Sequence, residues 1–248
     1  LNVSTEVLEG FSVVEESLHR TTENASKENQ SLYNDFSKQM LSNPQKVKAW
    51  FEKATLVKQM SDSLYNLAEQ LKLEIVREAD GKEANPLAIR NKENLEAAAH
   101  VMLSPTSNSG KVLFQTINRY RNSILQFVGS AEEKRLIESN LTTAVPSSAK
   151  GLGKNWQEYM FESMPVAAAV TLLSKLQSDV RHTEGMVLHD LVSNVDLKDI
   201  RVNKLTAFVI PESKTVLSGD RFSARIVMAA VDTTQQPEIY IGGRKVAL

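Results

Sequence analysis

Residues 47–75 read VKAWFEKATLVKQMSDSLYNLAEQLKLEI. Steps of three and four pick out Val47, Trp50, Ala54, Val57, Ser61, Leu64, Ala68, Leu71 and Ile75, and Ser61 alone breaks the apolar series. That spacing draws one narrow seam along one side of a very long helix. A helix with a single greasy edge and a charged remainder is a strut rather than the wall of a pocket. The expected role is therefore mechanical or architectural.

Just upstream, Ser42-Asn43-Pro44 is a sharp break. Asn43 is expected to cap the helix, and Pro44 suits its first turn, where a missing N–H costs nothing. The helix is expected to end near Asp80-Gly81. Before the break, Ser4 to Leu41 carries its own seam: Val7, Phe11, Val14, Leu18, Thr21, Ala25, Glu28 and Leu32, then after a slip of one, Phe36 and Met40. Such a slip arises when a nearly straight helix keeps a 3.6-residue period instead of a strict heptad. Glu9, Glu15, Glu16, Glu23 and Lys27 fall opposite this seam and read as a solvated face. The helix would be roughly 50–60 Å long at 1.5 Å per residue. So short a link predicts that the two helices lie antiparallel as a hairpin.

Downstream the pattern is interrupted and then resumes. Asn91 to Leu103 is expected to form a short helix, and Ser104 to Gly110 a loop. Lys111 to Val128 carries Leu113, Ile117, Tyr120, Ile124 and Phe127 on one side. Ser130 and Glu133 have the spacing of a capping box that starts another short helix, ending near Leu141. Residues 144–155 read as a second loop. A last helix opens at Pro165, with Val166, Ala169, Leu173, Leu176, Val180, Thr183, Val187 and Leu191 along its seam. Period, caps and breakers agree on an elongated four-helix bundle whose third stretch is interrupted.

After Asn194 the period changes to two. Leu205, Ala207 and Val209 alternate with Thr206, Phe208 and Ile210; Phe222, Ala224, Ile226, Met228 and Ala230 alternate with Arg221, Ser223, Arg225 and Val227. Glu238 to Ile241 enters a Gly242-Gly243 turn, the signature of an antiparallel hairpin. The expected fold class is α+β: a helical bundle domain over residues 1–194, then an antiparallel, sandwich-like β domain beginning at 204–248. About 45 residues is short for a sandwich. The β module is thus expected to be cut short, or completed by another chain.

Composition narrows the function. The 248 residues are 42% hydrophobic and 24% charged, as in an ordinary folded protein. The net charge is −1, from 29 basic and 30 acidic residues, and no basic surplus points to nucleic acid. With no cysteine, disulfides, thiol catalysis and cysteine metal sites are excluded. The longest apolar cluster, Val166 to Leu173, is too short to span a membrane. The chain opens on Leu1 without a signal-peptide pattern, so an anchor or signal is expected upstream.

No catalytic constellation assembles. Gly151-Leu152-Gly153-Lys154-Asn155 lacks the first glycine and the Ser or Thr of a phosphate loop. His182 and His189 are seven apart, whereas helical metal pairs sit four apart. Neither a cofactor nor a metal is expected. Two patches bear on partners. Trp156, Tyr159, Met160, Phe161 and Met164 form a plug at one end of the bundle or, in the alternative, a docking surface. Val3, Val7, Phe11, Val13 and Val14 make the first helix apolar over a wide face, which either packs on the bundle or pairs with the same helix of a second subunit.

Leu1 to Phe11, Trp156 to Glu184 (above all Tyr159-Met160-Phe161-Glu162-Ser163-Met164-Pro165 and Leu172 to Val180), and the switch into strands at Lys204 to Val209 with Gly219-Asp220 beyond it resemble the GldM/PorM family, closest to its PorM branch. These are gliding-motility and type IX secretion proteins of Bacteroidetes. The resemblance covers essentially the whole chain. It implies a periplasmic homodimer held to the inner membrane by one helix just before Leu1, with a helical domain followed by several β domains. It implies a motor driven by the proton gradient, shared with the membrane partner GldL/PorL. Later domains would meet the outer-membrane-associated ring proteins GldK/PorK and GldN/PorN. No catalytic residue carries over. Val7, Glu9, Phe11, Val14, Glu15 and Glu16, nearest the implied anchor, are the expected partner-binding residues.

The rival reading is a periplasmic four-helix bundle that senses a small ligand, with Arg119 and Arg121 as the candidate contacts. An enzyme is not expected.

Overall fold

A computed structural model describes residues 4–197, 204–211, 215, 219, 221, 223–231, 239–241 and 244–246. The chain divides into two compact units, Leu1–Val195 and Asp196–Leu248.

The first unit is helical. Its long elements are α1 (Thr5–Ser42), α2 (Pro44–Asp80), α4 (Ser109–Ile124, continued by a 3-10 turn at Leu125–Phe127) and α8 (Val166–Leu197). Short helices fill the interrupted third stretch: α3 (Ala97–Leu103), α5 (Ala131–Asn140), α6 (Ser147–Lys150) and α7 (Trp156–Phe161). At 38 residues, α1 is about 57 Å long.

Local chemistry sets most boundaries. Ser4 Oγ accepts from the Val7 N–H and starts α1. Pro44 occupies the first turn of α2, as expected. Asn43 stands at the cap position but its side chain makes no capping bond. The reason is its double duty: its own N–H donates to Gln39 O at 2.8 Å and closes α1, which fixes its backbone for both ends. Gly81, at φ 86°, ends α2 in a conformation that a side chain would strain. Ser130 accepts from the Glu133 N–H and starts α5.

Two expected boundaries move. The helix anticipated over Asn91–Leu103 begins only at Ala97. Asn94 Oδ1 accepts from the N–H groups of Glu96 and Ala97, and the carbonyls of Asn94 and Lys92 accept from Val166 and Ala167. Those carbonyls complete the start of α8, so they are unavailable to a helix of their own. The anticipated 144–155 loop contains α6, and it ends in a full capping box in which Asn155 and Glu158 bond reciprocally to start α7.

The α2 seam packs as the spacing requires. Val47, Ala54, Val57, Ser61, Leu64, Ala68, Leu71 and Ile75 are buried, with Trp50 half-buried. Ser61 is accommodated because its hydroxyl lies 3.0 Å from Tyr120 Oη on α4. The α8 seam is buried too, except half-buried Leu176, and α8 also buries Val170, Ser174, Gln177, Glu184 and Leu188 on other sides.

The α1 seam needs correction. Its buried residues are Leu8, Glu15, Thr22, Ala25, Asn29, Tyr33 and Phe36. Val7 is 50% exposed and Val14 48%, whereas Glu15, placed on the solvated face, is buried. In the first half of the helix the inward stripe is displaced by one residue, about 100° around the axis. The apolar side chains alone favoured Val7 and Val14. The polar stripe won because α2 and α8 supply its partners.

In the second unit, β1 (Lys204–Pro211) pairs antiparallel with β2 (Ala224–Val231), from Lys204 opposite Val231 to Pro211 opposite Ala224. β3 (Ile239–Ile241) pairs antiparallel with β4 (Arg244–Val246). Among the described residues the strands pair as two antiparallel two-stranded sheets, in keeping with the expected α+β class. Phe208, Val209, Ile210, Ile226 and Met228 are exposed, and they come from both faces of the β1–β2 ribbon. Val3, Phe222, Asp220 and the Gly242-Gly243 turn lie outside the described residues.

Candidate functional site

Two clusters of charge lie inside the helical unit, one above the other along α1, α2 and α8. In the first, Glu15 of α1 accepts at Oε1 from Ser174 Oγ of α8 at 2.7 Å and lies 3.5 Å from Lys72 Nζ of α2. Lys72 also reaches Glu69 at 3.2 Å and Gln177 Oε1 at 3.1 Å. Gln177 in turn donates to Glu69 and to Tyr65 O. Burial opposes the charge on Glu69, but donors from Gln177 and Lys72 outweigh it and hold the carboxyl below its ordinary range.

In the second cluster, Glu184 of α8 is fully buried. It accepts from Tyr33 Oη at 2.9 Å, Asn29 Nδ2 at 3.2 Å and Arg181 Nη1 at 2.7 Å. Arg181 bridges onward to Asp62 of α2 at 2.8 Å and stacks over the Tyr65 ring at 4.4 Å. Burial alone would push the Arg181 guanidinium down, yet Glu184 and Asp62 hold it above its ordinary value. Burial and the adjacent Glu184 push the Tyr33 hydroxyl upward, so it stays a donor.

Each cluster ties α1, α2 and α8 together with two carboxylates around one cation. A buried charge is tolerated only when paired, so these contacts admit one alignment of the three helices and penalise others.

Beside the first cluster is a cleft of about 500 Å³ between the first half of α1, residues 86–92 and the start of α8. Phe11, Glu15 and Glu16 line it, together with Leu87, Ile89 and Val170. The structure thus divides the six expected partner-binding residues. Phe11, Glu15 and Glu16 meet at this cleft. Val7 and Val14 stand on the outward face of α1 with Gly10, seven and three residues apart, and Glu9 is exposed.

The other candidates have local roles. Arg121 donates to Leu141 O at 2.9 Å and to Asn118 Oδ1, fastening the chain after α5, while Arg119 is exposed. They do not converge on a pocket. Lys154 pairs with Glu162 at 2.7 Å, and Asn155 caps α7, which accounts for the glycine-rich loop. His182 and His189 are exposed. Trp156 and Phe161 are buried, with Trp156 packed on Phe114 at 5.7 Å, while Tyr159 stays exposed, and Trp156, Tyr159, Met160 and Phe161 line a cleft of about 410 Å³ with Leu141 and Leu173.

The residues that reading the chain missed are Asn29, Tyr33, Asp62, Lys72, Ser174, Gln177, Arg181 and Glu184. One signal was present: Glu15, Thr22 and Asn29 recur every seven residues on α1, as Gln177 and Glu184 do on α8. Polar residues repeating at the seam's own period mark an inward polar stripe.

Residues 6–194 match the family model of the GldM N-terminal domain, and residues 196–248 match that of the GldM second domain. Comparison with curated proteins finds no match.

Proposed function

The chain belongs to the GldM family of the gliding-motility and type IX secretion machinery, and from that premise we propose that its helical unit is a load-bearing section of a periplasmic shaft. GldM proteins are structural components of that machinery rather than a known enzyme family, and in general they are periplasmic and anchored in the inner membrane. Among the described residues no helix is long and apolar enough to cross a membrane.

On this reading the shaft transmits work from a motor driven by the proton gradient, shared with a GldL/PorL-type membrane protein. It passes that work to GldK/PorK-type and GldN/PorN-type ring proteins at the outer membrane through further domains. The shaft is a homodimer of the PorM branch, and the outward face of α1 at Val7, Gly10 and Val14 is where two copies meet.

One observation carries the reading: each buried charge inside the bundle is paired with an opposite charge from the same chain. Glu15, Lys72, Arg181 and Glu184 lock three long helices in register at two levels. A sensor would aim such groups at a ligand, whereas a lever needs them to stop helices sliding. Small-angle scattering with mass determination tests it. A rod with dimer mass is expected, and Val7→Asp with Val14→Asp should return it to monomer mass without changing the helical CD melt. A compact monomer would overturn the proposal.

A further inference from the structure

We propose that the cleft between the first half of α1, residues 86–92 and the start of α8 receives a basic side chain, a lysine or arginine flanked by apolar residues on a partner protein. Glu15 Oε2 is buried and has no hydrogen-bond donor. Its sister oxygen takes Ser174 and the long contact to Lys72, and Lys72 is already divided between Glu69 and Gln177. The described side chains around this carboxylate leave Oε2 without a donor. A buried carboxylate oxygen without a donor is costly, and a cationic donor offsets that cost more than a neutral one.

The lining fits such a group. Glu15 and Glu16 both face the cleft, against Lys92 and the exposed His19. The rest is mainly apolar, and Leu87 at the lip is 63% exposed. A lysine or arginine stem lies on such apolar surface while its head reaches a carboxylate. A free small amine would leave Leu87 and Pro86 uncovered; a peptide with apolar neighbours covers them.

The walls are already built. Ala167 donates to Lys92 O at 3.2 Å, and Thr171 Oγ1 lies 3.4 Å from Phe11 O, so α8 holds both the 86–92 segment and α1. The backbone walls are preformed, and binding asks for a side-chain adjustment that uncovers Oε2, which is closed to solvent in the free chain. The volume of about 500 Å³ holds one long side chain and its neighbours.

Titration calorimetry on the purified chain, with acetyl-Leu-Lys-Leu-amide, its norleucine analogue and n-butylammonium as probes, tests the assignment apart from the shaft reading. The lysine peptide should bind about tenfold tighter than the norleucine peptide, and tighter than n-butylammonium. Glu15→Gln keeps an acceptor for Ser174 and should abolish most of that preference. Leu87→Ser, at an exposed position that does not threaten folding, should weaken both peptides alike. Equal binding of the two peptides, a preference that survives Glu15→Gln, or n-butylammonium binding as tightly as the lysine peptide would each overturn it. Unchanged peptide affinity in Leu87→Ser would overturn it too.

Discussion

Tyr33 on α1 donates a 2.9 Å hydrogen bond to Glu184 on α8, across 151 positions of sequence. The acceptor is fully buried and takes Asn29 and Arg181 as well. Moving either helix by one residue would strand a charge in the interior. Apolar packing alone tolerates such slips far better, because one leucine contact resembles the next.

Removing the cation should therefore be costly. Arg181→Ala leaves Glu184 buried and uncompensated, and about 3–5 kcal/mol of stability is expected to go. Tyr33→Phe removes one donor of three and should cost about 1–3 kcal/mol. Urea melts followed by helical CD measure both, and an Arg181→Ala curve that overlays the parent would refute the cluster.

The α2 seam makes a contrast between neighbouring leucines. Leu64 is fully buried, whereas Leu56 is about half exposed. Leu64→Ala should cost about 2–5 kcal/mol and Leu56→Ala under about 0.5 kcal/mol. Similar losses at both positions would mean that the seam has been drawn on the wrong side of the helix.

Two helical glycines should respond to alanine in opposite directions. At Gly185 a Cβ would come 2.8 Å from Asn29 Oδ1, and Asn29 is tied to Arg181 O and Glu184. Crowding of about 1–3 kcal/mol outweighs the helix-propensity gain of about 1 kcal/mol. Gly10 has nothing within 4 Å, so Gly10→Ala should stabilise the monomer by about 0.5–1 kcal/mol. It should also weaken self-association if the outward face of α1 is the dimer contact. A destabilised Gly10→Ala monomer would show that this face is covered within one chain.

Acid sensitivity should trace in part to Glu69, whose carboxyl is held below its ordinary value of 4.5 by donors from Gln177 and Lys72 although burial opposes this. A depressed carboxyl stabilises the fold above its unfolded value and loses that contribution as pH falls through the folded value. Glu69→Gln should thus flatten the loss of stability below about pH 4.5 and change little near neutrality. An acid limb identical to the parent's would remove Glu69 from the account.

The α2 and α8 seams, the break at Asn43-Pro44 and the two main strand runs were legible in the chain because they are local facts. A period of 3.6 or 2 and a proline in a first turn can be judged without knowing what lies opposite. The capping of α8 by the Asn94 and Lys92 carbonyls was not legible, since main-chain acceptors carry no residue signal.

The first half of α1 shows where local reading ends. It offers two stripes one residue apart, Val7 with Val14 and Leu8 with Glu15, and hydrophobicity favours the first. Tertiary structure chose the second. A charge enters the interior only where another helix brings its partner, and Lys72 and Ser174 arrive from segments far along the chain. Periodicity therefore determined which segments are helices and where most of them bury; only the meeting of three helices decided which side of α1 turns inward and which stays exposed.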